Sequence, residues 1–214
     1  MHENLRSRLA LHVLTDRKWS QGRDTLTVIR AALDGGATVI QLRDKTASTR
    51  MLIEEGMALR ALTRERHALL IINDRIDVAL AVDADGAHVG QDDLPGELAR
   101  QLLGPERILG ISAGNRQEAA SAIAAGADYL GVGPIYATTT KADAGKAIGT
   151  QGLAELAACY AIPLVAIGGI TAENCRAAML AGAAGVAVIS AVVAANDITV
   201  ATRRLADTLW ATHS

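Results

Sequence analysis

Short apolar runs alternate along the chain with longer segments in which apolar residues recur every three or four positions. Short runs bounded by glycine or polar residues predict buried β-strands, whereas the longer period predicts amphipathic helices. We predict strands over residues 9–14, 37–42, 68–72, 86–89, 108–111, 129–132, 163–167 and 185–189. We predict helices over residues 26–33, 49–66, 76–81, 95–103, 116–125, 150–158 and 172–181, and a last helix that ends near Trp210.

Eight such alternations predict an α/β fold, a single (β/α)8 TIM barrel, in one domain over residues 1–214. Glycines at positions 35–36, 126 and 182 follow predicted helices, where a left-handed residue commonly ends the helix. An open, doubly wound sheet is the alternative. That fold needs a glycine-rich first strand–helix turn, and residues 15–18 (Thr-Asp-Arg-Lys) are not glycine-rich.

The composition fits parallel strands that are buried on both faces. Half of the residues are hydrophobic, yet only 2% are aromatic and phenylalanine is absent. A net charge of -2 predicts no attraction to nucleic acid or to a membrane surface, and no apolar run approaches the roughly 18 residues of a spanning helix. Cys159 and Cys175 lie in helical patterns without a CxxC pair, which favours packing roles in a reducing cytoplasm. The oligomeric state stays open.

Polar residues cluster where the predicted strands end. The carboxyl ends of barrel strands share one rim, and barrel enzymes place their active sites there. The clusters are Gln41, Arg43 and Lys45 after strand two; Asn73 and Asp74 after strand three; Gln91, Asp92 and Asp93 after strand four; Ser112 and Asn115 after strand five; Gly168 and Gly169 after strand seven; and Ser190 after strand eight. Their common face indicates one active site.

The sixth strand leads into the stretch GVGPIYATTTKADAG, residues 131–145. Thr138, Thr139 and Thr140 supply hydroxyl donors and Lys141 supplies a cation, a combination that suits a phosphate group. The loop over residues 134–147 is long for a compact domain, and such loops are usually lids or binding loops.

Two anion sites are predicted on this rim. Gly168 and Gly169, with the turn at residues 189–191, would let a phosphate approach backbone N–H groups, as in the usual phosphate site of such barrels. On the other side, Arg43, Lys45 and Lys141 could hold a larger phosphate group. Asp74 and Asp93 could share a magnesium ion, because Mg²⁺ binds through one or two carboxylates plus substrate phosphates. No His/Cys cluster indicates zinc.

Each cluster also has a simpler explanation. Asn73, Asp93 and Ser190 could each cap or start a helix. Arg43 and Asp44 could form a solvated ion pair of little energetic worth. His88, at the end of strand four, is more typical of a hydrogen-bonded rim histidine than of a general base. These explanations account for single positions and not for their common face.

The stretches QLRDK, INDRIDVALAVDADGAHVGQDDLP, GVGPIYATTTKADAG, PLVAIGGIT and GVAVISA, in this order, closely resemble the thiamine-phosphate synthase family (thiamine-phosphate pyrophosphorylases). The resemblance covers nearly the whole chain. It implies a transferase of thiamine biosynthesis that joins a hydroxymethylpyrimidine diphosphate to a free or carboxylated thiazole phosphate and releases pyrophosphate. The implied partners are these small-molecule substrates, and the implied cofactor is Mg²⁺.

The resemblance also implies roles for particular residues. The pyrimidine diphosphate would be bound by Gln41, Arg43, Lys45, Asn73, Ser112 and Lys141, among which Arg43, Ser112 and Lys141 would be catalytic. Magnesium would be bound by Asp74 and Asp93. The thiazole phosphate would be bound by Thr138, Thr140, Gly169, Ile189 and Ser190.

One departure concerns the loop after strand five, where relatives commonly carry Ser-X-His and this chain has Ser112-Ala113-Gly114. A thiazole tautomerase of the same barrel family resembles the synthase but is thought to use that histidine for proton transfer. Gly114 cannot do so, which disfavours the tautomerase. A second alternative is a non-catalytic barrel that binds thiazole phosphate. Such a barrel could lose the magnesium carboxylates and the cations, which are present in this chain.

Overall fold

The computed structural model describes residues 2–138, 140 and 145–211, and their side chains from Leu5 onward. Its strands are β1 (Leu11–Leu14), β2 (Val39–Leu42), β3 (Leu69–Asn73), β4 (Gly86–Val89), β5 (Ile108–Ala113), β6 (Tyr129–Val132), β7 (Leu164–Ile167) and β8 (Gly185–Val188). The helices in these residues are α1 (His2–Arg8), α2 (Thr25–Asp34), α3 (Thr49–Glu65), α4 (Ile76–Ala81), α5 (Gly96–Leu103), α6 (Arg116–Ala124), α7 (Gly149–Cys159), α8 (Cys175–Leu180), α9 (Ser190–Val193) and α10 (Ile198–Trp210).

The strands form a closed, parallel barrel in sequence order. β1 pairs with β2 in the register His12 to Val39 and also with β8 in the register His12 to Ala187, so the sheet has no free edge. The predicted (β/α)8 TIM barrel is confirmed, and the open doubly wound sheet is wrong. Closure brings the carboxyl ends of all the strands to one rim.

Two apolar layers hold the barrel together. Strand residues such as Val13, Leu70 and Val186 pack outward against the helices, in a cluster that includes Leu59 and Leu205. A second cluster fills the interior, where Leu14, Val39, Ile71, Tyr129 and Val165 lie among its members. Successive strand side chains point to opposite faces, which explains how one apolar strand can serve both layers.

Local signals in the sequence explain the helix ends. Asp24, Ser48, Asn115 and Asp197 each accept a hydrogen bond from a backbone N–H in the first turn of α2, α3, α6 and α10. At the other ends, Gly36, Gly126 and Gly182 have positive φ angles of 105°, 86° and 102°. The predicted left-handed glycines are thereby confirmed at one position in each turn.

Some boundaries differ from the prediction. β5 continues to Ala113 because Ser112 and Ala113 pair with Gly131 and Val132, so Ser112 lies on a strand and not in the loop after it. Asn73 is likewise the last residue of β3. Helices α1 and α9 were not predicted, since both are short and lack an extended apolar period.

The packing role predicted for both cysteines holds for only one of them. Cys175 is buried, whereas Cys159, the last residue of α7, is exposed, so the packing prediction is wrong there. Within the residues that the structure covers, no helix combines the length and the apolarity needed to cross a membrane.

A repeated side-chain bond lies at the amino-terminal end of the barrel. The residue just before β2, β4 and β6 accepts a hydrogen bond from a backbone N–H of the preceding strand. Leu11 donates to Thr38 Oγ1, Leu70 to Asp85 Oδ2 and Leu109 to Asp128 Oδ2. Arg60 and Arg100 also donate to the two carboxylates, which bridges helices α3 and α5 to the strands.

We expect Asp128→Ala to destabilise the fold by about 2 kcal/mol, because it leaves the Leu109 N–H without its acceptor and removes a charged partner of Arg100. Chemical denaturation would measure the loss. Asp128→Asn keeps an acceptor and should lose less, and Asp207→Ala on the exposed face of α10 should change stability little. Equal losses in Asp128→Ala and Asp207→Ala would contradict the bridging role.

Candidate active site

A cavity of about 770 Å³ opens at the carboxyl ends of the strands. Its lining comes from the loops after β2 and β4 to β8. The lining residues with polar side chains or glycine turns include Lys45, Gln91, Asp92, Asp93, Ser112, Asn115, Glu118, Thr138, Thr140, Lys146, Gly168, Gly169, Thr171 and Ser190. The predicted convergence of these loops on one face is therefore present in the fold.

Two carboxylates meet beside this cavity. Asp74 follows β3 and has a left-handed backbone, with φ of 63°, which aspartate tolerates better than most residues. Its N–H donates to the carbonyl of His88 at 2.8 Å, and its side chain is within hydrogen-bonding reach of Asp93. Asp93 in turn accepts from the N–H of Gly90 at 2.8 Å. Backbone contacts thus fix both acids in one place.

This arrangement makes Asp74 difficult to ionise. Burial, together with the hydrogen bond and the negative charge of Asp93, raises the pKa of Asp74 from 3.8 to about 6. The charges of Lys45 and Arg43 oppose this rise in pKa but do not cancel it. Two adjacent carboxylates with too little positive charge nearby favour either a shared proton or a cation.

Arg43 is held by the loop after β1. Thr15 donates its hydroxyl to the Arg43 carbonyl and accepts from the Arg43 N–H, at 3.0 and 2.8 Å. Asp16 accepts from Arg43 Nη1 at 3.2 Å, and both side chains are mostly buried. Asp44 instead pairs with Arg17, so the proposed Arg43–Asp44 pair is wrong.

Ser112 lies on the wall of the cavity at the end of β5. Its Oγ is 2.9 Å from Nε2 of His88, whose Nδ1 is 3.0 Å from the hydroxyl of Tyr129. The histidine is therefore hydrogen-bonded, as the sequence favoured. The carbonyl of Ser112 accepts from the side chain of Gln91 at 2.6 Å.

Hydroxyl groups gather on the other side of the cavity. Thr138 donates its hydroxyl to Thr140 Oγ1 at 3.2 Å, and Thr140 Oγ1 lies 3.3 Å from Ser190 Oγ. Ser190 begins α9, where the first N–H groups of a helix have no partner within the helix. Three hydroxyls beside such a turn can donate to the oxygens of an anion.

The glycine pair after β7 is packed against the start of the loop after β6. Gly168 and Gly169 have φ angles of 95° and 65°. A Cβ added at Gly168 would lie 2.6 Å from Cβ of Pro134, and one at Gly169 would lie 2.8 Å from Cβ of Tyr136. Close approach of this loop is enough to explain both glycines, and the approach of a phosphate stays a prediction.

The simpler explanations for single residues fail at three positions. The residue before α4 is Arg75, and the residue before α5 is Pro95, so neither Asn73 nor Asp93 caps those helices. Ser190 makes no capping bond to α9, which follows Ile189. Capping therefore explains none of the three residues, although Asp93 accepts from the Gly90 N–H and Ser190 is the first residue of α9.

The cavity lining includes all five predicted thiazole phosphate residues, two residues of the pyrimidine diphosphate set and one of the two predicted magnesium ligands. The lining residues among the predicted set are Lys45, Asp93, Ser112, Thr138, Thr140, Gly169, Ile189 and Ser190. Gln41, Arg43, Asn73 and Asp74 lie at the ends of β2 and β3 outside this lining, with Gln41 buried. Lys141 and Thr139 lie outside the described residues, so their predicted roles have no structural account.

Some residues of the site were missed in the sequence. Asp16 holds Arg43 from the first loop, and Tyr129 holds His88 from inside the barrel. Neither contact leaves a pattern of spacing, because the partners are far apart in the chain. Lys146 also lines the cavity and was not predicted. Its position in the same loop as Lys141, five residues later, was the sequence signal that could have identified it.

The donor set at Asp74 and Asp93 fits magnesium. Among the residues that the structure covers, no group of three or more His, Cys, Asp or Glu side chains could hold a metal. A closed protein cage for zinc or calcium is therefore not found there. Mg²⁺ keeps several waters and accepts substrate phosphate oxygens, so two adjacent carboxylates beside the predicted anion site would suffice for it.

Fold and site together define a parallel (β/α)8 barrel with a polar cavity at the carboxyl ends of its strands, the arrangement of barrel enzymes. Residues 11–192 match the family described as thiamine monophosphate synthase, and the chain belongs to that family. It is 58% identical over 195 residues to thiamine-phosphate synthase of Chloroflexus aurantiacus, covering 91% of this chain and 90% of that one. The corresponding enzyme of Moorella thermoacetica is 55% identical, with 91% and 93% covered.

A solved structure agrees with this assignment. Thiamine phosphate pyrophosphorylase from Pyrococcus furiosus superposes with a TM-score of 0.92 at 44% sequence identity. The match covers 99% of this chain and 100% of that one. The family resemblance and the barrel fold predicted from the sequence are both confirmed.

We expect the metal-free protein to lose stability as the pH rises from about 4 through about 6. Folding raises the pKa of Asp74 from 3.8 to about 6, so the folded state favours the protonated carboxyl group more than the unfolded state does. The stabilisation that this proton provides is therefore lost as Asp74 ionises between these two values. Asp74→Asn should lack the loss and exceed the wild type by about 1 kcal/mol near pH 8, with allowance for partial exposure. Thermal unfolding in EDTA from about pH 4 to about pH 8 measures the pH dependence of the wild type and the difference between the two proteins.

Asp92, which is exposed and precedes Asp93 in the loop after β4, provides the matched control, because Asp92→Asn removes one carboxylate and leaves Asp74 and Asp93 in place. It should retain the wild-type dependence on pH. An Asp74→Asn protein with that same dependence would contradict the assignment.

Proposed function

We propose that this chain is a thiamine-phosphate synthase that joins hydroxymethylpyrimidine diphosphate to free or carboxylated thiazole phosphate and releases pyrophosphate. The observation that carries the proposal is a single cavity with two chemically different sides. Lys45, Asp93 and Ser112 lie on one side, and Thr138, Thr140 and Ser190 lie on the other. A diphosphate and a monophosphate substrate need such a division.

The pyrimidine diphosphate belongs on the side with the carboxylates and cations. Arg43, Lys45 and Lys141 supply positive charge, and Gln41, Asn73 and Ser112 supply polar groups for the ring and the phosphates. Asp74 and Asp93 would hold Mg²⁺, which would neutralise charge on the diphosphate. The raised pKa of Asp74, which arises first from burial and then from the adjacent Asp93 carboxylate, supports this placement, because a bound cation would favour the ionised form.

The thiazole phosphate belongs on the side with the hydroxyls. Thr138, Thr140 and Ser190 already contact one another, so a phosphate oxygen could accept from more than one of them. Gly169 and Ile189 provide the adjoining turns. Because the hydroxyls are uncharged, this side holds its substrate by hydrogen bonds more than by charge.

In the proposed reaction, pyrophosphate departs before the thiazole nitrogen attacks. The bond between the pyrimidine methylene carbon and the diphosphate oxygen breaks, and its electron pair leaves with pyrophosphate. Arg43, Ser112 and Lys141 stabilise the charge that develops on the departing oxygen. The lone pair of the thiazole nitrogen then forms the new C–N bond with the carbocation, and holding the thiazole phosphate nearby makes this second step local. No protein nucleophile takes part.

The loop after β6 acts as a lid in this mechanism. Its two ends are tied together, because Ile148 donates its N–H to the carbonyl of Pro134 and Gly149 donates to that of Ile135, at 2.9 and 3.1 Å. The loop therefore leaves and returns beside the cavity. Closure over the substrates would exclude water, which otherwise captures the cation.

The tautomerase is the second candidate, and the site disfavours it. Gly114 carries no side chain for proton transfer, and the nearby Glu118 carboxylate accepts from the N–H of Gly114 and from Asn115 at 2.7 and 2.6 Å. That carboxylate is occupied as a local structural group. A non-catalytic thiazole phosphate binder would not need Asp74 and Asp93, which are kept in contact here.

We expect pyrophosphate release when both substrates and Mg²⁺ are present, and none when Mg²⁺ is removed with EDTA. Asp93→Asn should lower turnover about 100-fold or more, because it weakens the metal site. Asp92 lines the same cavity and is not assigned to the metal, so Asp92→Asn should retain activity. A coupled pyrophosphate assay measures all three proteins. Release that is unaffected by EDTA, or no release from the wild type, would exclude the proposed reaction.

Replacing one residue on each side should separate the two substrates. Lys141→Ala should lower kcat about 100-fold with little change in the KM for thiazole phosphate, since the lysine acts on the departing charge. Ser190→Ala should raise that KM about tenfold with a smaller change in kcat, since it removes one hydrogen bond to the phosphate. Steady-state kinetics with either substrate varied provides the comparison, and Lys141→Arg, which keeps the charge, is the control. Unchanged turnover in Lys141→Ala would sink its assigned role.

A further inference from the structure

Three polar side chains form a continuous chain from the barrel interior to the cavity. The hydroxyl of Tyr129 lies 3.0 Å from Nδ1 of His88, and Nε2 of His88 lies 2.9 Å from Oγ of Ser112. Ser112 lines the cavity, whereas Tyr129 is 1% exposed. The tyrosine and the histidine thus lie behind a residue that we place in the diphosphate site.

Glycines on the two neighbouring strands provide the space for the histidine ring. A Cβ added at Gly110 of β5 would lie 2.5 Å from Nδ1 of His88, and one at Gly131 of β6 would lie 2.7 Å from its Cε1. Any other residue at these positions would displace the imidazole. The barrel is therefore built to hold this ring in one position.

The phenol of Tyr129 sets the direction of the hydrogen bonds. Its burial keeps the pKa far above the ordinary value, so the phenol retains its proton. Among the described residues, the hydrogen bond to His88 is the one that this hydroxyl makes. A buried O–H that has one acceptor must donate to it, so Nδ1 of His88 accepts.

The direction of this hydrogen bond determines the tautomer of the imidazole. A neutral histidine carries its proton on one nitrogen and accepts on the other. With Nδ1 as the acceptor, the proton is on Nε2, and Nε2–H donates to Oγ of Ser112. The hydroxyl proton of Ser112 is then not needed by His88 and can point into the cavity.

We propose that Tyr129 and His88 are positioning residues that make Ser112 a hydrogen-bond donor to the pyrimidine diphosphate. This inference rests on the proposed function, because it gives a direction to one of the contacts proposed there. In the opposite tautomer, Ser112 would donate to His88 and present only lone pairs to an anionic substrate, which would repel it. The pair Tyr129–His88 excludes that arrangement.

This role differs from general-base catalysis by His88. Both ring nitrogens are engaged with side chains of the protein, and the proposed reaction requires no proton to be removed from either substrate by the enzyme. The histidine acts through Ser112, and its effect should vanish when the serine hydroxyl is removed.

The tautomer can be measured without any assay of activity. Two-dimensional ¹H–¹⁵N spectra of protein labelled at histidine distinguish a ring protonated at Nε2 from one protonated at Nδ1, with His88→Gln used to assign the signal. We expect the Nε2–H form in the wild type and a mixture in Tyr129→Phe. An Nδ1–H ring in the wild type would overturn the inference whether or not the chain has synthase activity.

A double-mutant cycle tests the consequence for the reaction. Tyr129→Phe should lower kcat/KM for the pyrimidine diphosphate about tenfold, as expected for a weakened hydrogen bond to an anion, and leave the KM for thiazole phosphate unchanged. In a Ser112→Ala background the same substitution should change kcat/KM by less than about twofold. An equal loss in both backgrounds would show that Tyr129 acts through packing, and would overturn the inference.

Controls separate this outcome from loss of the fold and from failure of the proposed function. Tyr160→Phe removes a hydrogen bond to the carbonyl of Arg116 outside the cavity lining and should leave kcat/KM unchanged. His88→Gln keeps an N–H donor for Ser112 and should retain more activity than His88→Leu, with thermal unfolding of each variant recorded. An inactive wild type would reject the synthase assignment, while the spectra would still report the tautomer.

Discussion

Closure of the parallel sheet is the constraint on which the rest of the structure depends. Because β1 pairs with both β2 and β8, every strand has two neighbours and every carboxyl end reaches one rim. Residues far apart in the chain then become neighbours without any local pattern to bring them together. Asp74 and Asp93 follow different strands, yet their carboxyl groups meet, and Thr140 reaches Ser190 from a distance of 50 positions.

The two ends of the barrel have separate tasks. At the amino-terminal end, Asp85 and Asp128 satisfy backbone N–H groups and pair with arginines, which favours a single stable register. At the carboxyl end, like charges meet at Asp74 and Asp93, and this is unfavourable for folding unless a proton or a cation intervenes. Stability at one end therefore offsets a local cost at the other, where we propose that the chemistry takes place.

Much of this arrangement could be predicted from the sequence. The alternation of short apolar runs and amphipathic segments predicts the barrel, because each period is a local property of the chain. The carboxyl-end clusters predict the rim, because strand ends need only be located within a residue or two. The extent of β5 could not be predicted, since it depends on whether Ser112 finds a partner in Gly131. The contacts from Asp16 to Arg43 and from Tyr129 to His88 were missed for the same reason: they join separate strands or loops and leave no spacing to detect.

The packing of the Gly168–Gly169 turn against residues Pro134 and Tyr136 has one further consequence. Because the loops after β6 and β7 share this contact, the Gly168–Gly169 turn and the first residues of the long loop pack together and should move together. Insertions or deletions within the long loop, beyond its paired ends at Pro134 and Ile148, can therefore change its reach without moving the turn.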